Sequence, residues 1–106
     1  MSMTLKAGKY PMVFTHGVSD RIEKEEPFAR FVWKSLLQFN HGDWGAVDKQ
    51  DWKSNDEALE SLNNGGWYGR ILASYDYGQS DPIWIIRNTA DVDGTQAITV
   101  LFPNEY

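Results

Sequence analysis

The residue types that carry most protein chemistry are sparse in this chain. It has no cysteine, and its only histidines are His16 and His41. Thiolate catalysis, a disulfide framework and every cysteine-ligated zinc site are therefore excluded. His41 with Asp43, Asp48 and Asp51 is the nearest thing to a cation cluster. Yet His41-Gly42-Asp43 reads as a helix stop running into a loop, and no ligand pair has the His-x₃-His spacing of a helical zinc site. A helix C-terminus favours histidine electrostatically without any metal. Asp91 and Asp93 before Gly94 resemble the opening of a calcium loop, but such a loop needs glycine at its sixth position and glutamate at its twelfth, where Gln96 and Phe102 stand. Gly65-Gly66 with Gly69 lacks the preceding strand and following helix of a phosphate loop. No serine lies in a nucleophile elbow, and neither histidine has a serine or aspartate partner recognisable by spacing. The expectation is no catalytic residue, no metal and no cofactor; a hydrolase assembled in space would have His16 as its base.

Aromatic residues are abundant instead: five Trp, five Tyr and five Phe. Trp84, Phe28, Phe31 and Phe39 fall on core patterns. Trp44, in the loop between Gly42 and Gly45, falls on none. It is either a lid folded over the joint between two helices or an exposed contact residue, tryptophan being a common interface anchor. Trp44 with its neighbour Asp43, and Trp67 with Tyr68, are the candidate binding residues.

The elements that would position these residues follow from periodicity and punctuation. Residues 1–9 are polar and expected to be loose; residues 10–106 form a single domain. Pro11 to Thr15 is a short strand, closed by His16-Gly17. Ser19 can cap a short helical turn through Glu23. Pro27 opens a strong helix, in which Phe28, Phe31, Val32, Leu36 and Phe39 form one apolar stripe, widened by Trp33 and Leu37. Gly42 is its natural stop. A second helix runs from Asp48 to about Leu62 with a thinner stripe of Trp52, Ala58, Leu59 and Leu62, and Asn63-Asn64-Gly65-Gly66 ends it. A β-meander follows: Trp67 to Tyr77, then Pro82 to Arg87, then Gln96 to Phe102, with turns at Gly78-Asp81 and Asp93-Gly94. The middle strand, Ile83-Trp84-Ile85-Ile86, is apolar on both sides, so both faces of the sheet are expected to be partly covered. The predicted fold is α+β: an antiparallel three- to four-stranded sheet in β-α-α-β-β-β order with helices packed against it.

Composition sets the outer bounds. The chain of 106 residues fits one domain and can bury about two-thirds of its unfolded surface without staples. No stretch approaches a membrane span, and the first ten residues lack the apolar run of a signal peptide, so a cytoplasmic, non-membrane protein is expected. Fifteen acidic against ten basic residues give a net charge of −5. That balance opposes nucleic-acid binding, which clustered Lys and Arg drive.

Several stretches together resemble a family of small proteins of bacterial plasmids, phages and conjugative elements, labelled plasmid-related or, loosely, type I restriction endonuclease subunit M. They are Thr15-His16-Gly17-Val18, Phe31-Val32 leading to Leu36, Gly42-Asp43-Trp44-Gly45, Asn55 with Ala58-Leu59, Arg70 to Tyr75, Ile83 to Ile86, and Thr99 to Pro103 through Glu105-Tyr106. The sequence departs from that pattern at residues 63–68 and 89–95. A methyltransferase subunit must hold a cofactor and a flipped base, which this short chain has no machinery to do. The resemblance implies an accessory protein of a mobile element. In that setting the expectation is a non-enzymatic protein-binding domain, monomeric or a small homo-oligomer, directed at a host protein or complex such as a restriction or CRISPR system. The alternatives are a single-stranded nucleic-acid binder stacking bases on the sheet, which Arg70 and Arg87 could serve, and the hydrolase using His16.

Overall fold

A computed structural model describes residues 3–7, 10–63, 70–87 and 97–106. Along the chain run β1 (Met3–Ala7), β2 (Tyr10–Phe14), α1 (His16–Lys24), α2 (Glu26–Asn40), α3 (Lys49–Asn63), β3 (Ile71–Asp76), β4 (Pro82–Arg87), β5 (Ile98–Leu101) and a closing 3₁₀ turn, Pro103–Glu105. The α+β class agrees with the sequence, but the sheet does not. It has five strands in the order β1-β2-β5-β4-β3, and it is mixed, because β2 runs parallel to β5 while the other neighbours are antiparallel. Local turn chemistry specifies a hairpin such as β3–β4; nothing local tells an isolated strand such as β2 which distant edge to join. Residues 3–7, expected to be loose, form the outermost strand beside β2.

Side chains alternate along a strand, and the register stacks one row from β2, β5, β4 and β3 on the helical side. Phe14, Val100, Ile85 and Ala73 stand level with one another, as do Met12 and Ile98. Against this row α2 lays Phe28, Val32, Leu36 and Phe39, all buried, and α1 adds Val18. Each such side chain contributes about 1.5–3 kcal/mol of transfer free energy. Ser35 sits in the same stripe and satisfies its hydroxyl by donating to the Phe31 carbonyl one turn back, at 2.9 Å. On the other side of the sheet Ile86 and Leu101 are buried and Trp84 half-buried. This face is therefore partly covered, as the doubly apolar β4 implied; Tyr106 packs edge-on against Trp84 there, with ring centroids 5.6 Å apart.

Two departures within the helices bear on function. First, α1 starts at His16 rather than near Ser19, with Thr15 as N-cap residue, and its first turn holds no acidic residue. Second, Trp33 and Leu37 do not widen the core stripe of α2. They are 43% and 61% exposed, because each stands about 100° further round the helix than the buried Val32 and Leu36 that precede them.

Candidate functional site

The loop Gly42-Asp43-Trp44-Gly45 clasps α2 to β3. Gly42 and Gly45 both hold positive φ, 78° and 76°, a conformation that suits glycine. They turn the chain off α2 and back along β3. Asp43 ties the turn together: one carboxylate oxygen accepts from Gln38 Nε2 and the other from the Gly45 N–H, both at 3.0 Å. Those bonds, Gln38 first and Gly45 second, hold its pKa below the ordinary carboxylate value. The Asp43 carbonyl accepts the buried Tyr75 hydroxyl at 2.6 Å. Burial, with the Asp43 charge adding to it, pushes the Tyr75 pKa up. Trp44 is 1% exposed, packs edge-on against Phe39 and donates Nε1–H to Asp56 of α3 at 2.9 Å. It is the lid of the two alternatives, and the contact reading for Trp44 is corrected: a buried indole whose one donor is already used has nothing to offer a partner in the folded state. Trp67 and Tyr68, like Asp91, Asp93 and the Gly65-Gly66-Gly69 run, lie outside the described residues.

The same loop seals the β3 edge of the sheet. Ser74 donates its N–H to the Trp44 carbonyl at 3.2 Å and accepts from the Ala46 N–H at 2.7 Å, forming a one-residue parallel bridge with Gly45. Two residues earlier, Asn55 of α3 imitates a neighbouring strand. Its Nδ2 donates to the Leu72 carbonyl at 2.9 Å while its Oδ1 accepts the Leu72 N–H at 3.3 Å. The outward-facing backbone groups of Leu72 and Ser74 are thus satisfied from within the chain.

Other polar groups are likewise engaged in the fold. Arg21 forks onto Asp81 at 3.0 and 2.9 Å, reaches Glu25 at 3.0 Å and lies 4.2 Å over the Phe28 ring, closing the β3–β4 turn onto α1. The bond from Arg21 lowers the pKa of Asp81. His41 Nδ1 bonds the Leu37 carbonyl at 2.7 Å, as expected of a C-terminal cap, and Asp48 accepts the Asp51 N–H at 2.7 Å at the start of α3. The imagined cation cluster is therefore a pair of helix ends. Among the described residues no group of three or more His, Asp and Glu could hold a metal ion. Arg87, one of the two arginines that could serve a nucleic-acid binder, is buried on the helical side of the sheet, level with Ile71 and Ile98. His16 opens α1 on the exterior, near the Glu105 carboxylate.

Among the described residues, the outer side of α2 carries two exposed large apolar side chains. Trp33 and Leu37, one turn apart, project from the helix and with Met12, Leu36 and Asn40 line an open cleft of about 250 Å³ above β2. Trp33 is braced edge-on by Phe14, with ring centroids 6.0 Å apart. Exposed Arg30 and Lys34 flank this apolar ledge on the side away from the sheet. Sequence reasoning missed it by merging Trp33 and Leu37 into the core stripe. The signal was present: both stand on the flank of the helix that carries Arg30 and Lys34, where a core face has no reason to extend.

Among the described residues, a five-stranded mixed sheet with α1 and α2 packed on it and α3 beside β3 defines an α+β domain that carries this ledge. No family model, no curated protein and no solved structure matches the chain, and no helix among the described residues is long and apolar enough to cross a membrane.

Proposed function

We propose that this chain is a non-enzymatic accessory domain that works by binding protein, with the α2 ledge of Trp33 and Leu37 as its contact surface. The observation that carries this reading is the exposure of two large apolar side chains, one helical turn apart, over a cleft that is itself apolar. A braced tryptophan beside a cleft is the kind of anchor on which binding energy concentrates, with flanking charges forming a rim. The polar groups with displaced pKa values are each engaged in holding the fold, which favours binding over catalysis as the use of this surface. The resemblance to plasmid and phage proteins supplies the target class: a host protein complex, such as a restriction or CRISPR system. Leu37→Glu separates the readings, because it alters the ledge without touching the core. A protein recovered from host lysate by the wild type and lost with Leu37→Glu is the expected result; equal recovery by both removes the ledge from the proposal.

A second reading has one specific observation behind it. On the sheet face away from the helices, Arg70 lies 4.9 Å over the Tyr106 ring, which packs against Trp84. A cation beside two aromatic rings on one face of a sheet supplies the elements of base stacking. Titration with single-stranded DNA at low salt, read by tryptophan quenching, tests it; the net charge of −5 weighs against it.

A further inference from the structure

The two edges of the sheet are treated differently. The β3 edge is closed by Asn55 on Leu72 and by the Trp44 and Ala46 backbone on Ser74. At the other end β1 pairs with β2 in unbroken register from Met3↔Phe14 to Ala7↔Tyr10, and among the described residues no strand lies beyond it. Proteins usually blunt such an edge with proline, a bulge or several charges. Met3–Ala7 has no proline, its register has no bulge, and Lys6 is its only charged residue. A regular edge that carries a single lysine still presents its outward N–H and C=O groups as a template for a further strand.

We propose that the occupant of this edge is a second copy of the chain, β1 pairing antiparallel with its twofold equivalent near Leu5. The sealed β3 edge is the reason to choose a second copy. Twofold pairing consumes both open edges and leaves a ten-stranded sheet that ends on Asn55-sealed strands at either side, so assembly stops at two. Strand addition from an unrelated protein explains the open edge but gives no role to the closure of the other one. The pairing also organises the ledge, and in this respect the inference rests on the binding reading above. Two β1 strands between the β2 strands place the latter three strand spacings apart, about 14 Å. The Trp33–Leu37 ledges then flank a shared trough on one side of the sheet. A partner engaging both gains from effective concentration.

The absence of cysteine makes the test clean. In Leu5→Cys the introduced thiols meet across the twofold axis, where directly opposed residues of antiparallel strands lie about 4.5–5.5 Å apart between Cα atoms, within disulfide reach. Mild oxidation is expected to give a covalent dimer from Leu5→Cys and none from Ser54→Cys, an exposed position on α3. Sedimentation of the wild type is expected to give twice the 12.2 kDa chain mass. A monomer at concentrations up to about 1 mM, far above micromolar affinities, overturns the proposal. So does a dimer whose Leu5→Cys variant cross-links no better than the control, or a monomer in which the amides of residues 3–7 gain exchange protection only when a partner protein is added. The ledge reading is scored separately: a monomer that still loses its partner on Leu37→Glu retains that reading and loses the dimer, whereas a cross-linking dimer indifferent to Leu37→Glu does the reverse.

Discussion

Gly17 donates its backbone N–H to the Glu105 carboxylate at 3.1 Å, joining the first turn of α1 to the end of the chain across 88 positions. The other carboxylate oxygen accepts the Thr15 hydroxyl at 2.6 Å and the Phe102 N–H at 2.9 Å. A helix whose first turn lacks an acid thus receives one from elsewhere, where the macrodipole and the unpaired N–H groups favour it. A β-carbon on residue 17 would sit 2.7 Å from Glu105 Oε2, so glycine admits the carboxylate. Glu105→Ala is expected to cost about 1–2 kcal/mol in urea denaturation, the scale of a lost N-terminal cap. A loss under about 0.5 kcal/mol, ordinary for a surface site, would mean that α1 is capped without it.

The same carboxylate gives stability a pH dependence with a definite sign. Burial works to raise the Glu105 pKa, but the bonds from Thr15, Phe102 and Gly17, with His16 nearby, outweigh it and the net shift is downward. Asp81, bonded by Arg21, and Asp43, bonded by Gln38 and Gly45, are lowered too. A carboxylate with a depressed folded-state pKa binds protons more readily when unfolded, so its contribution is complete above the ordinary values of 3.8 and 4.5 and is lost as pH falls through the lower folded values. Melting midpoints are expected to hold from about pH 7 to pH 5 and fall below that. In Glu105→Gln the acid fall should be shallower; an unchanged slope would remove Glu105 from the account.

Much of this fold was legible because it is encoded locally. The α2 stripe, the Gly42 stop, the β3–β4 turn and the doubly apolar β4 each announce themselves within a dozen residues. What was not legible depends on distance. The Thr15-His16-Gly17 stretch and Glu105 carry no chemistry apart; they become a cap when β2 joins β5, and Thr15 donates its N–H to the Val100 carbonyl at 3.0 Å. Asn55 looks like one polar residue among many on α3 until β3 lies beside it. Trp33 and Leu37 were misplaced for another reason: apolar identity was allowed to outweigh helical angle.

Gly45 tests the clasp on steric grounds alone. It holds φ at 76°, and a β-carbon there would lie 2.1 Å from the Ser74 carbonyl oxygen and 2.8 Å from the Tyr75 ring. Backbone cannot yield as a flexible side-chain tip does. Gly45→Ala is expected to cost more than about 2 kcal/mol, whereas Gly42→Ala, with φ of 78° but open space around it, should cost only the αL penalty of about 1 kcal/mol. Equal losses at the two positions would show that the bridge to β3 is not what constrains Gly45.

Leu36 and Leu37 are adjacent in sequence and opposite in environment, 4% and 61% exposed. Leu36→Ala is expected to lose about 2–5 kcal/mol through burial and cavity terms, and Leu37→Ala less than about 0.5 kcal/mol. Trp44→Ala belongs with the first: about 3–5 kcal/mol. In a separate protein that keeps Trp44 and has the other four tryptophans replaced, emission is expected to be blue-shifted and protected from quencher. A Leu37→Ala loss as large as that of Leu36→Ala would place Leu37 in the core and remove the ledge.

Asn55 offers the sharpest test of how the sheet is kept finite. Its side chain is 4% exposed and serves both backbone groups of Leu72. Asn55→Ala leaves the part-buried N–H and carbonyl of Leu72 without those partners, a loss of about 1 kcal/mol or more. Asn55→Asp is expected to do comparable harm despite its similar shape, because a carboxylate cannot donate to the Leu72 carbonyl and meets it with like charge. Stability alone would not distinguish edge sealing from an ordinary buried amide, but association does. With Leu72 uncovered, β3 becomes a second open edge beside β1, and a molecule with two pairing edges propagates instead of closing. Light scattering of Asn55→Ala is expected to rise with concentration, at temperatures well below its melting midpoint, while a core variant of equal instability such as Leu36→Ala stays clear. If both variants scatter alike, the aggregation follows from unfolding in general, and Asn55 is a buried hydrogen-bonding residue with no separate part in limiting assembly.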